Sequence, residues 1–367
     1  MYVIGRTGVG KSALLESLIR QDVERGEGLV LLDPHGDLVQ RVRSAIPPHR
    51  RKDLIDFDVP NTSRVLGFNP LEPVSPSARP LAAASLVDVF RKIWADSWGP
   101  RLEHVFRNSL LTLLDQPRAN MTDILRLLDD RSFRSQALTQ VHDPQVRDFW
   151  RREYDSYPAR FRVEVIAPIQ NKVGAFLADP LVRRILSAPR SHFDLRQVMD
   201  QGKILLVNLA KGKVGEETAA LLGALFVTKL GHAALSRADQ PEEKRRDFFV
   251  YMDEFPTYTT IGLANLLTEL RKYGVAVILA HQYLTQLELV VRDAILGNVG
   301  TIIAFRVGVA DAEVLAREFA PVFSAEDLVS LPRFHTYVRL LVDGVVTQPF
   351  SAETLPPFPP PAADREP

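Results

Sequence analysis

Eight residues near the start of the chain, Gly5-Arg6-Thr7-Gly8-Val9-Gly10-Lys11-Ser12, restrict its fold more than any other feature. They satisfy G-x-x-x-x-G-K-[ST] at every fixed position and follow the apolar run Met1-Tyr2-Val3-Ile4. Such a loop works only between a strand and a helix, because its N–H groups and the helix N-terminus must converge on the same phosphates. Both neighbours are predicted. Residues 1–4 read as a short buried strand, and Leu14, Leu15, Leu18 and Ile19 share one helical face over 12–25. After Gly26-Glu27-Gly28 a second apolar run, 29–32, ends in Asp33-Pro34-His35-Gly36-Asp37. Strand, helix, strand with apolar runs of four is the pattern of a parallel sheet covered on both faces, hence an α/β fold. The cradle predicts ATP or GTP as ligand, with Lys11 on the β- and γ-phosphates and the Ser12 hydroxyl on Mg²⁺.

The carboxylates that such a cradle needs come much later. Phe248-Phe249-Val250-Tyr251-Met252 is an apolar strand that delivers Asp253 and Glu254 at its end. Asp253 is placed to hold the Mg²⁺ shell, and Glu254 to polarise an attacking water as general base. Adjacent carboxylates at a strand end are otherwise ordinary helix-starting residues. The glycine loop is what favours the catalytic reading. His281-Gln282 closes the next strand, 275–280, where the amide of Gln282 is placed to sense a γ-phosphate; the plain alternative is a hydrogen-bonded strand terminus. Arg271, in Leu270-Arg271-Lys272-Tyr273-Gly274, is a candidate arginine finger reaching a neighbouring subunit, against the alternative of a solvated cation at a helix end. Arg306 is a weaker candidate of the same kind. His35 has no second His or Cys at ligand spacing, so it does not read as a metal ligand.

Between the two halves of the sheet the character changes. Residues from 80 to about 198 are helical by periodicity and punctuated by Gly99-Pro100, Pro117, Pro144, Pro158 and Pro189, and all three tryptophans lie there. The expected organisation is a core over 1–75 and 201–354, an all-α insert over 76–200, and a disordered Pro-rich tail over 355–367. Further strands are expected at 54–57, 203–209 and 301–305. Helices are expected at 216–235, 264–273 and 284–296. Asp343-Gly344 between 337–342 and 345–349 signals a hairpin. The insert carries Arg101, Arg107, Arg126, Arg131, Arg134, Arg147, Arg151, Arg152, Arg160 and Arg162, which read either as a phosphate-contacting surface or as a charged helix exterior.

Composition excludes several classes. With no cysteine there is no disulfide, thiolate catalysis or Cys-based zinc site. The formal net charge is zero, so any nucleic-acid partner must be met by a local patch. No uninterrupted apolar run approaches the length of a membrane span, and no signal peptide precedes the loop, so no membrane contact is expected from this chain. The abrupt start predicts a fragment or minimal version of something longer.

Taken together, these segments resemble the FtsK–HerA superfamily of ring-forming DNA-pumping ATPases, and within it the TraD/TraG-like coupling proteins of type IV secretion and conjugation. The resemblance rests on residues 5–12, Leu32-Asp33-Pro34-His35-Gly36-Asp37, Trp98-Gly99-Pro100-Arg101, Tyr251-Met252-Asp253-Glu254-Phe255, Leu270-Arg271-Lys272-Tyr273-Gly274, Ala280-His281-Gln282 and the stretch 298–312. It implies a RecA-like P-loop core interrupted by an all-α domain, assembled as a homo-hexamer around DNA. It also implies that Lys11 and Ser12 bind ATP and Mg²⁺, Asp253 holds Mg²⁺, Glu254 activates water, Gln282 senses the γ-phosphate and Arg271 acts in trans. Relaxosome and secretion-channel components are the implied partners, at a cytoplasmic site that lies at the inner-membrane face if an upstream anchor exists. A HerA-like motor for DNA-end processing or phage defence, and a docking receptor that assembles with nucleotide, remain alternatives. The resemblance also implies an N-terminal anchor or barrel ahead of the loop strand at which this sequence begins.

Overall fold

The structure, a computed structural model, describes residues 1–260, 269–356 and 358. Two compact units share the chain. The first comprises Met1–Phe57, Leu195–Gly212 and Ala233–Pro367, and the second Asp58–Asp194 and Lys213–His232.

Among the described residues the first unit is built on eleven strands: β1 (Tyr2–Ile4), β2 (Gly28–Asp33), β3 (Leu54–Asp58), β4 (Ile204–Asn208), β5 (Phe248–Met252), β6 (Val275–His281), β7 (Ile302–Ala304), β8 (His335–Arg339), β9 (Leu341–Val342), β10 (Val345–Val346) and β11 (Phe350–Glu353). Nine of them form one sheet in the order β11-β8-β7-β1-β6-β5-β2-β4-β3. The run from β7 to β4 is parallel, and β8 and β11 are antiparallel. This is the expected mostly parallel α/β sheet. Tyr2, Val3, Ile4 and Leu29 to Leu32 are wholly buried, each contributing about 1.5–3 kcal/mol from removal of its side chain from water. Such doubly covered strands must be apolar throughout, which is why short unbroken runs identified them.

Register places the ends of these strands side by side. Ile4 pairs with His281 on one flank and with Ala304 on the other. Leu32 pairs with Met252, which in turn pairs with Leu279. Gly5, Asp253, Gln282 and Phe305 therefore all leave the sheet at its carboxyl edge, where open α/β sheets bind ligands. Helix α1 (Lys11–Glu24) begins directly at the loop.

Sequence expectation and structure differ in detail. The expected strand 337–342 breaks after β8, and the predicted hairpin is the separate pair β9–β10 around Asp343 and Gly344, both with positive φ. Strand β11, not anticipated, pairs with β8. The expected helix 264–273 lies outside the described residues up to 268, and its remainder is a single 3-10 turn, Leu270–Tyr273. The expected tail also lies outside them, apart from 355, 356 and 358.

The second unit is helical, with long helices at Arg79–Ile93, Pro100–Leu114 and Ala159–Ala178. Its core includes Phe90, Phe106, Phe149, Trp150 and Tyr154, and the buried Trp150 indole donates to Thr112 Oγ1 at 2.7 Å. Residues 58–75 and 213–232 belong to this unit, whereas the boundaries expected from sequence fall after 75 and after 200. Packing accounts for the difference. Phe226 stacks on Phe68 at 5.1 Å and lies 6.1 Å from Phe193, and Lys229 Nζ sits 3.8 Å from Glu72. The stretch Glu216–Asp239 is also, among the described residues, a helix long and apolar enough to cross a membrane by length and composition. With 67% of its apolar window buried inside the protein, its composition has a core-packing explanation.

Most of the arginines singled out in the insert have internal partners. Arg134, 2% exposed, donates to Leu127 O and Asp155 and lies against the Tyr154 ring. Arg162 donates to Asp155 O and Tyr157 O. Arg107 pairs with Glu103, Arg126 with Asp123, Arg152 with Asp148 and Arg160 with Glu164, while Arg101 covers Phe161. Within Trp98-Gly99-Pro100-Arg101, the Trp98 indole donates to Glu103 at 2.8 Å. Burial would raise the Glu103 carboxyl, but the Trp98, Arg107 and Arg91 donors outweigh it and hold it down at about 2. That motif is thus an organised helix start.

Candidate active site

The glycine loop is shaped by what lies beneath it. A Cβ on Gly5 would meet Phe305 Cβ at 2.5 Å, and one on Gly10 would meet the Phe334 ring at 2.8 Å and the Phe305 ring at 3.1 Å. Gly8 and Gly10 hold φ of 79° and 124°, conformations that side chains resist. The loop is thereby pressed onto an aromatic floor. Lys11, the first residue of α1, folds its ammonium back onto the loop, donating to Gly5 O at 2.6 Å and Arg6 O at 3.1 Å. Burial lowers the Lys11 pKa, opposed by the charges of Glu254 and Asp253. Ser12 is half-buried in the first turn of the same helix, and Arg6 and Thr7 are exposed at the loop's rim.

Asp253 and Glu254 follow β5 and are both buried. The Asp253 N–H donates to Leu32 O at 3.1 Å, and the buried Tyr258 hydroxyl donates to Asp253 O. Burial first, then the charges of Asp33 and Glu254, pushes the Asp253 carboxyl up to about 7, with Lys11 opposing. Glu254 holds φ 45°, a left-handed conformation that turns its side chain out of strand direction. Its Oε1 accepts from Gln282 Nε2 at 2.7 Å, and Gln282 Oε1 accepts from Thr7 Oγ1 at 2.7 Å. A continuous side-chain chain, Thr7–Gln282–Glu254, thus links the rim of the glycine loop to the second carboxylate. The neighbouring His281 is wholly buried, with the Tyr2 hydroxyl 2.6 Å from its Nε2. Desolvation lowers its pKa to about 3, so it is a neutral hydrogen-bonded strand end.

The remaining candidates fall into two groups. Asp33 is not aimed at the loop: its carboxylate accepts from the N–H groups of His35, Leu38 and Val39, starting helix α2 (Asp37–Ala45). Arg306 is at the loop through its backbone, whose carbonyl accepts from Arg6 N at 2.9 Å. Arg271 is exposed in the 3-10 turn before β6, at the amino end of that strand. The length of β6, roughly 20 Å, separates it from this chain's own loop. Sequence reasoning missed Phe305, Phe334, Arg333 and Tyr258. Arg333 Nε donates to Gly8 O at 2.9 Å and Phe334 N to Val9 O at 2.8 Å. No local motif marks these contacts, because they bridge the two ends of the chain.

The donors present fit a nucleoside triphosphate with a hard cation. The loop opens at the start of α1, an ammonium lies beside it, and two buried carboxylates sit opposite. Among the described residues no group of three or more His, Asp or Glu forms a self-contained metal cage. A cation here would lean on one carboxylate, a hydroxyl and phosphate oxygens, the arrangement typical of Mg²⁺.

Comparison with solved structures places the fold. The bacterial conjugative coupling protein TrwBdeltaN70 superposes with a TM-score of 0.68 at 18% identity, covering 100% of this chain and 86% of that one. VirB4 of Thermoanaerobacter pseudethanolicus superposes at 0.62 with 15% identity, covering 97% and 88%. A comparison with curated protein sequences gave no match. The family model described as the type IV secretion-system coupling protein DNA-binding domain matches residues 1–337. On that match over most of its length, the chain belongs to the type IV secretion-system coupling protein family.

Proposed function

We propose that this chain is a DNA-translocating ATPase of type IV secretion, hydrolysing ATP with Mg²⁺ at the glycine loop and using the energy to pass DNA through a ring. The observation that carries the reading is the Thr7–Gln282–Glu254 hydrogen-bond chain, which ties a candidate base to the rim of the phosphate cradle. The coupling protein TrwB has been solved with the ATP analogue ADPNP, with ADP and Mg²⁺, and with the GTP analogue GDPNP, and the shared fold supports nucleotide as ligand.

In this mechanism the N–H groups of residues 5–12 and the start of α1 hold the phosphates. Lys11 exchanges the loop carbonyls it now contacts for β- and γ-phosphate oxygens. Ser12 and Asp253 would hold a Mg²⁺ ion, which would supply charge neutralisation to the phosphates when bound. Glu254 takes the proton of the attacking water on its carboxylate. Gln282, bonded both to Glu254 and to Thr7, registers whether the γ-phosphate is present. Arg271, too far to reach its own loop, serves the loop of a neighbouring subunit, which calls for a closed homo-oligomer, read as a hexamer. Relaxosome and secretion-channel components are the proposed partners, met in the cytoplasm, and at the inner-membrane face if an upstream anchor exists.

The test is ATP turnover of the assembled oligomer with and without DNA. Turnover is expected to rise with single- or double-stranded DNA. If neither stimulates, the DNA-motor reading falls while the nucleotide site can stand.

A further inference from the structure

In the helical unit two stretches far apart in sequence, Pro117-Arg118-Ala119 and Ala188-Pro189-Arg190-Ser191-His192, are drawn together by a third. The wholly buried Asn69 donates through Nδ2 to Ala119 O at 2.8 Å and to Pro189 O at 3.1 Å. Its own N–H donates to Ser191 Oγ at 2.9 Å. Gly67 exchanges a pair of bonds with His192: the Gly67 N–H donates to Nδ1 at 2.7 Å, and the His192 N–H to Gly67 O at 3.0 Å. A Cβ on Gly67 would meet Ala188 Cβ at 2.4 Å, so only glycine lets the segment close this tightly. Breaking the Asn69 bridge would strand buried polar groups, which holds the two stretches in fixed relation.

The residues beside those bridged carbonyls are Arg118 and Arg190. With Ala188, Pro189 and His192 they line a cavity of about 570 Å³. That size lies within the range of roughly 300–1,000 Å³ typical of ligand pockets. None of the five lining residues is acidic. Both arginines are exposed, and among the described residues neither guanidinium has a hydrogen bond or an ion pair. This sets them apart from Arg107, Arg126, Arg134, Arg152 and Arg160, each of which faces a carboxylate. His192 adds a further donor. A backbone N–H can only donate, so Nδ1 is the acceptor and the ring proton sits on Nε2, which has no partner among the described residues. The side chains of the cavity therefore offer donors and positive charge with no free acceptor. That set matches a phosphate group, whose oxygens take the planar fork of arginine two at a time.

We infer that this pocket is a contact site for the phosphate backbone of DNA, with Arg118 and Arg190 neutralising phosphates and His192 Nε2 donating to one of them. The inference rests on the reading of the chain as a DNA-translocating ATPase. No side chain here presents the paired donor and acceptor that would read a base edge, so the contact is independent of sequence.

Fluorescence anisotropy of labelled single- and double-stranded oligonucleotides with the full chain, over a range of salt, tests it. The Arg118→Gln/Arg190→Gln chain is expected to bind on the order of fivefold more weakly for each arginine at about 0.1 M salt. The slope of log affinity against log salt should become shallower by roughly 0.7 for each arginine on single strands, or roughly 0.9 on duplex. Both side chains are exposed, and unchanged circular dichroism establishes that the fold is kept. Arg152→Gln/Arg160→Gln removes the same charge from two exposed arginines of the same unit and is expected to keep the parent's slope. Parental affinity and slope in the Arg118/Arg190 chain overturn the inference. So does an equal loss in the Arg152/Arg160 chain, which makes the effect one of bulk charge. Binding of inorganic phosphate or polyglutamate that is lost in the Arg118/Arg190 chain while DNA binding persists gives the pocket to a free anion or an acidic protein, and overturns it too. The underlying reading fails separately: a parent chain that binds neither form of DNA removes the cargo, and the pocket's role with it.

Discussion

Replacing Glu254 by Gln is expected to leave ATP binding within a few-fold of the parent chain and to cut turnover by roughly a hundred- to ten-thousandfold, the usual worth of a positioned general base. The geometry explains why the two quantities should separate. Glu254 is buried and its Oε1 accepts from Gln282 Nε2 at 2.7 Å. Glutamine at 254 still offers an acceptor to that amide, so the chain from Thr7 survives and the loop is undisturbed. What disappears is the capacity to take a proton. Nucleotide titration and steady-state phosphate release on the same preparation check both halves, and turnover equal to the parent's would take the base role away from Glu254.

Arg271→Ala is expected to depress turnover of the assembled oligomer by about a thousandfold or more, the scale of an arginine supplied across an interface. The side chain is exposed at the opposite edge of the sheet from its own loop. The turn that carries it is firmly held. Arg237 donates to Tyr273 O at 2.6 Å, Arg245 donates to Lys272 O, and Gly274 N closes the turn onto Arg271 O at 3.1 Å. Mixing Arg271→Ala with Lys11→Ala protein provides the sharper result. At some interfaces an intact loop then meets an intact Arg271, so the mixture should recover activity that neither variant has alone. Mixed oligomers that form and remain inactive would contradict action in trans.

How much of this was legible in the sequence depends on whether the signal was local. The parallel strands were readable because burial on both faces demands unbroken apolar runs, and because each run ended in a residue with chemistry: Gly5, Asp253, Gln282. The glycine loop was readable because its residue types are dictated by backbone geometry within eight positions. The part Asp33 plays is set by the fold, since accepting from the N–H groups of Leu38 and Val39 requires helix α2 to start there. The insert's arginines read either as a surface for phosphates or as a charged helix exterior. Their partners, such as Asp155 for Arg134 and Phe161 for Arg101, are set by helix packing that periodicity alone does not specify. Arg333 and Phe334 were invisible for the same reason at longer range. Nothing near residue 333 announces that it will close over residue 8.

The central claim is that residues 5–12, with Lys11, hold a nucleoside triphosphate. Isothermal titration of ATP with Mg²⁺ into the full chain and into Lys11→Ala measures it most directly. The account predicts one ATP per chain, bound in a Mg²⁺-dependent way. It also predicts affinity weakened by on the order of ten- to a hundredfold once the ammonium is gone, the worth of a charge-assisted contact to phosphate. A parent chain that takes up no ATP, or a Lys11→Ala chain that binds it equally well, would contradict the account.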